Sequence, residues 1–69
     1  MPLRIKYSRH AREQMVERSI SEREVEECIK RGAKRLQAGD KILSEYRYYA
    51  AVYKKADDTC FVITIKPRW

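Results

Sequence analysis

His10 is the sole histidine of the 69-residue chain. It is the side chain best suited to move a proton near neutral pH, because an unperturbed imidazole titrates at about 6.5. Metal-free cleavage of RNA needs a base for the 2′-hydroxyl proton, an acid for the leaving oxygen and a cation for the charge of the phosphorane. His10 can serve as the base and Tyr53 as the proton donor, with Arg47 as the cation and Arg9, Arg12 or Lys66 as further choices. Arg47 lies among Tyr46, Tyr48, Tyr49 and Tyr53, and rings interleaved with cations suit base stacking and phosphate contact. Phosphate contacts are expected from Arg9, Arg12, Arg18, Lys54, Lys66 and Arg68.

Each of these residues also has a plainer structural reading. A histidine near a helix N-terminus can bond a neighbouring carbonyl or cap a sheet edge, and for His10 this stands ahead of chemistry. Arg18 falls on the face expected to point inward or towards the sheet edge, where a buried cation needs a partner. Carbonyls after Gly32 are its favoured partners, ahead of a phosphate. Tyrosines are ordinary strand residues, so core and cross-strand pairs explain them first. The pairs Lys30-Arg31 and Lys34-Arg35 bracket Gly32, where cations complement the helix dipole and can also meet phosphate without sequence preference.

The elements that must position these groups are legible from periodicity. Leu3 to Tyr7 alternates apolar and basic residues, as a half-buried strand does. Ser8 suits a helix N-cap, and the first helix is expected from about Arg9 to Arg18, with Ala11, Met15 and Arg18 on one face and Gln14 beside them. His10, Gln14 and Glu17 follow one edge of that helix. Ser21-Glu22-Arg23-Glu24 is a capping box, with Ile20 and Val25 as its hydrophobic staple. Val25, Cys28 and Ile29 make the buried stripe of the second helix, and Gly32 is placed to end it in a left-handed turn.

The remainder reads as sheet. A short strand is expected over Ala33 to Ala38, then a turn at Gly39-Asp40. The stretch from Ile42 to Lys54 should break into two strands near Tyr48-Tyr49-Ala50, and Lys55 to Asp58 should form a polar connection. In the last strand, Thr59 to Lys66, Phe61, Ile63 and Ile65 alternate with Cys60, Val62 and Thr64. Both faces are apolar enough for a central position. The expected fold class is α+β in the order β-α-α-β-β-β, with room for one extra strand. A helical hairpin would pack on one face of a mainly antiparallel sheet, all in a single domain over residues 1–69.

Composition narrows the partner. The net charge is +6 and the pI about 9.6, which points to a polyanion, most naturally nucleic acid. Residues behind Met1-Pro2-Leu3-Arg4 form no long apolar run, so neither secretion nor a membrane is expected and a cytoplasmic protein is. Cys28 and Cys60 lie in apolar patterns where a reduced thiol packs as a small hydrophobe. Two cysteines and one histidine are too few for a metal site, and no cofactor is expected. Charged residues make up 38% of the chain, with no Asn and two Gln, a balance that resembles proteins of hot environments.

The run from Tyr7 to Ser21, YSRHAREQMVERSIS, resembles the opening of a family of small prokaryotic domains catalogued as domain of unknown function 4258. Openings in that family read Ser/Thr-Arg/Lys-His-Ala, then Met, then Arg-Gly-Ile-Ser and an acidic helix. Here Ser19 stands where the family usually has Gly, which bears on the turn between the helices. Gln14 stands where Arg is frequent, which removes an anion contact. The later half, Tyr46 to Lys66, is similar to the family's hairpin and last strand in outline.

More distantly, the element order resembles the RelE-type messenger-RNA interferases and the barnase-like and colicin-like nuclease folds. Ala51-Val52-Tyr53 resembles the end of the Arg-Val-Val-Tyr strand of RelE-type toxins, and Ile65-Lys66-Pro67-Arg68 sits where they often carry a basic residue. The Arg of the first motif is absent, with Ala50 and Ala51 in its region, which counts against transferring a toxin mechanism whole. The leading expectation is a small basic RNA-binding protein, in its catalytic form a metal-independent endoribonuclease of toxin type acting on RNA or the ribosome. The alternative is a non-catalytic interaction module that binds an antitoxin-like protein or forms a homodimer through a sheet edge.

Overall fold

The computed structural model describes residues 4–37 and 39–67. Strand β1 (Arg4–Tyr7) leads into helix α1 (Arg9–Glu17), and helix α2 (Glu22–Arg31) follows. Ser8 starts α1 by accepting from the Ala11 amide at 3.0 Å, while its own hydroxyl donates to the Ile63 carbonyl at 2.7 Å. One serine thus sets both the helix start and its seat on the sheet. Ser21 and Glu24 form the reciprocal box expected at the start of α2.

Between the helices the chain closes a Schellman motif. The Ser19 amide donates to Val16 and the Ile20 amide to Met15, with Ser19 at φ 56°. Ile20 and Met15 are both buried, giving the apolar contact that accompanies this motif. A glycine at this position would suit the left-handed backbone.

Four more strands complete the sheet: β2 (Ala33–Leu36), β3 (Lys41–Tyr46), β4 (Tyr49–Ala56) and β5 (Thr59–Pro67). Their order is β1-β5-β4-β3-β2. Strands β2 to β5 form an antiparallel meander, and β1 joins β5 in parallel, so β5 is an interior strand. The fold is α+β, with the helical hairpin on one face of a mixed sheet and β2 as the extra strand. Leu3 and Ala38, the expected limits of two strands, lie outside the described residues.

The core sits between the helices and the sheet. Ala11, Met15, Val25, Cys28 and Ile29 meet Tyr49, Ala51, Tyr53, Cys60, Val62 and Ile65. Leu43, Ala50 and Val52 make a smaller cluster on the opposite face. Cys28 and Cys60 are free, buried thiols, and burial raises the pKa of each.

Several local expectations are corrected. Gly32 caps α2 at φ −69°, ψ 160°, which is extended rather than left-handed. Glycine is required there by proximity, since a Cβ would collide with the Ser44 hydroxyl and come within 2.5 Å of the Cys28 carbonyl and 2.7 Å of that of Glu45. The break after β3 falls at Arg47-Tyr48, and β4 runs on to Ala56, leaving only Asp57-Asp58 as a turn. The alternation in β5 does not persist. Pairing with β4 shifts between Val52 and Tyr53, so Cys60, Val62 and Ile65 face the core while Phe61 is 43% exposed. A bulge of this kind changes which residues share a face.

Candidate nucleic-acid interface

Helix α1 lies beside β5 and runs in the same sense. The Ser8 amide donates to Val62 at its start, Gln14 meets Thr64 and Ile65 at its middle, and Arg18 lines a pocket with Pro67 at its end. His10 is exposed in the first turn, about 12 Å along the axis from Arg18 at 1.5 Å per residue.

Arg47 occupies the two-residue turn between β3 and β4, at the Pro67 end of β5, because Tyr49 pairs with Pro67. Its backbone holds φ 56°, and its guanidinium lies 5.4 Å from the centroid of the Tyr46 ring. Tyr53 is 3% exposed in the core, opposite Val62 and Ile42. Burial pushes its pKa above the usual tyrosine value, with Cys60 and Cys28 adding to the effect. The structure does not bring His10, Arg47 and Tyr53 into one cleft. They stand at the start of α1, at the far hairpin turn and beneath the helices.

The expected phosphate ligands divide between two surfaces. Arg9 is exposed and reaches Glu13 at 3.9 Å. Arg12 bonds Glu22 at 3.2 Å and lies 4.9 Å from the centre of the Tyr7 ring, tying α1 to the start of α2. Arg18 is exposed rather than buried inward, and at the Pro67 end of the sheet it shares a pocket of about 320 Å³ with Glu17, Ile20, Tyr48, Tyr49 and Pro67. The carbonyl bonds expected of Arg18 near Gly32 are made by Lys34, whose Nζ donates to Gly32 at 3.1 Å and Lys30 at 3.5 Å. Lys54 and Lys66 lie on the helix-free face of the sheet, paired with Phe61 and Ala50. Arg68 lies outside the described residues.

Charge is segregated between the two layers. The helices carry Arg9, Arg12, Arg23, Lys30 and Arg31 against Glu13, Glu17, Glu22, Glu24, Glu26 and Glu27, and so are close to neutral. The strands carry Arg4, Lys6, Lys34, Arg35, Lys41, Lys54, Lys55 and Lys66 against Glu45 alone. Ile5 and Tyr7 pack on the core, so Arg4 and Lys6 project from the opposite face. By the same alternation Arg35, Lys41, Lys54 and Lys66 share that face. Among the described strand residues of this face Glu45 is the one carboxylate, and Arg35 bonds it at 3.2 Å. Lys6, Lys41 and Phe61 also lie on this face, a grouping that spacing alone does not single out because it arises only through pairing across strands.

The sequence pattern of the family described as domain of unknown function (DUF4258) matches residues 7–67. The chain belongs to that family. The match takes in both helices and the meander, so the helix-free face described above belongs to the DUF4258 unit apart from Arg4 and Lys6. No curated protein and no solved structure matches the chain. Among the described residues no group of three or more potential metal ligands comes together, and no helix is long and apolar enough to cross a membrane.

Proposed function

We propose that the protein binds RNA through the helix-free face of its sheet. The observation that carries this reading is the concentration of the excess positive charge in the strands, while the helical layer is close to neutral. Phosphates neutralised by such a face release counterions, which drives binding without sequence preference. The endoribonuclease of toxin type, suggested by resemblance to RelE-type proteins, is the catalytic form of the same reading. It would draw on His10 with a cation nearer to it, such as Arg12, since Arg47 stands at the far hairpin turn and Tyr53 is both buried and a weakened acid.

The test is binding and cleavage of a labelled RNA with chelator present, at low salt and then at rising salt. Affinity is expected to fall steeply with salt, and Lys66→Glu to weaken binding about tenfold or more while Arg9→Glu on α1 changes it little. Salt-independent binding, or equal sensitivity of the two variants, contradicts the proposal. Cleavage by the wild type that is lost in a folded His10→Ala variant adds the catalytic form. Binding without cleavage by either leaves a binding module.

A protein-interaction module is the second reading, and one observation favours it. Strand β2 is a sheet edge with all four residues exposed, Leu36 at 78%, and such edges accept an added strand. Light scattering after size exclusion would reveal a dimer built this way.

A further inference from the structure

The register of four strands builds one row across the helix-free face. Lys6 pairs with Phe61, Phe61 with Lys54, and Lys54 with Lys41. Neighbouring strands lie about 5 Å apart, so Phe61 has an ammonium-bearing side chain on each flank and a further lysine beyond. On the next row stand Arg4 and Thr59, one more cation and a small polar side chain.

Phe61 is 43% exposed, although the neighbouring Cys60 and Val62 are fully buried. Lys54 touches Asp40 at 3.7 Å, with the Lys54 side chain about half exposed and that of Asp40 largely in solvent. Such a surface pair contributes little, so it leaves the ammonium available to an anion.

We propose that this row binds single-stranded RNA, with one base stacked on Phe61 and the flanking phosphates held by Lys6 and Lys54. The inference rests on the RNA-binding reading above and adds the class of RNA and the contact that selects it. A ring between two cations matches a splayed base between two phosphates, since each base offers a π-face and each nucleotide a charge. A duplex hides those faces inside its stack and offers only backbone to the lysines. The row carries no donors or acceptors other than its ammonium groups, so it reads single-strandedness rather than sequence.

The experiment compares a fluorescent oligouridine with a duplex RNA of equal length, on wild type and on folded Phe61→Ala and Phe61→Tyr variants. The single strand should bind at least tenfold tighter than the duplex. Phe61→Ala should weaken single-strand binding about tenfold, within the range for loss of one base–aromatic stack, and leave duplex binding unchanged. Phe61→Tyr should retain binding. Lys6→Ala and Lys54→Ala should each lower the slope of log affinity against log salt by about 0.7.

Wild-type affinity of Phe61→Ala for the oligouridine, or equal binding of duplex and single strand, overturns the stacking site and leaves the RNA-binding face standing. Tighter binding of oligodeoxyuridine than of oligouridine overturns RNA as its ligand. No binding of either RNA by the folded wild type overturns both readings.

Discussion

The side-chain oxygen of Gln14 accepts the backbone amide of Ile65 at 2.9 Å and, at the same time, the Thr64 hydroxyl at 2.7 Å. Strand β1 stops pairing at Val62, so beyond that point the outer edge of β5 has lost its partner strand. One amide of α1 takes over where the ladder ends. An arginine at position 14 could not take this role, since a guanidinium can only donate.

Gln14→Leu should therefore destabilise the fold by about 1–3 kcal/mol, the cost of leaving a sheltered donor unpaired. Gln14→Glu keeps an acceptor and should retain most of the stability. Hydrogen exchange at Ile65 reports the effect directly, faster in the leucine variant and near wild type in the glutamate one. Unchanged exchange in Gln14→Leu would show that the edge is sealed by other means.

Gly32→Ala should cost roughly 1–3 kcal/mol, as overpacking of a filled site does. The added methyl meets two backbone carbonyls as well as the Ser44 hydroxyl. Removing that hydroxyl with Ser44→Ala should thus fail to rescue it. Ser44 also donates to the Cys28 carbonyl at 2.6 Å while the Cys28 thiol donates back to the Ser44 carbonyl at 3.1 Å, so Ser44→Ala alone carries its own penalty. Urea unfolding of both single variants and the double variant checks this, with the double expected below either single.

Ser19→Gly should stabilise the protein by roughly 0.5–1 kcal/mol. A left-handed backbone costs a non-glycine residue about 1–2 kcal/mol, partly offset by the greater freedom of glycine in the unfolded chain. For a domain of this size that gain is a rise in Tm of several degrees. A lower Tm would mean that the serine side chain contributes more than its backbone strain costs.

Stability should decline on the alkaline side. Burial, above all, raises the pKa of Cys28 and Cys60 from an ordinary 9.0, and of Tyr7, Tyr49 and Tyr53 from 10.0. These groups stay protonated in the folded chain at pH values where the unfolded chain releases its protons. Their contribution is complete below about pH 9 and is lost as pH rises through the raised values. Urea midpoints at pH 7, 9 and 10.5 should be level over the first interval and fall over the second.

Residues that act on their immediate neighbours were legible in the chain. Ser8, Ser21 and Glu24 mark helix starts because capping joins groups three residues apart, and both caps are present. The amphipathic stripe Val25, Cys28 and Ile29 gives the buried face of α2 for the same local reason. The basic composition pointed to a polyanion before any element was in place.

What the tertiary structure decided is everything that depends on pairing over distance. The parallel docking of β1 on β5 sets Lys6 beside Phe61, residues separated by most of the chain. The shift in register at Val52 turns Phe61 to solvent and Ile65 to the core, against the alternation of the sequence. Gly32 likewise took its role from packing, because the approach of β3 to it is long-range. Helix signals live in hydrogen bonds a few residues long. Strand register, and with it any site built on a sheet face, is fixed only when distant segments bury their apolar sides together.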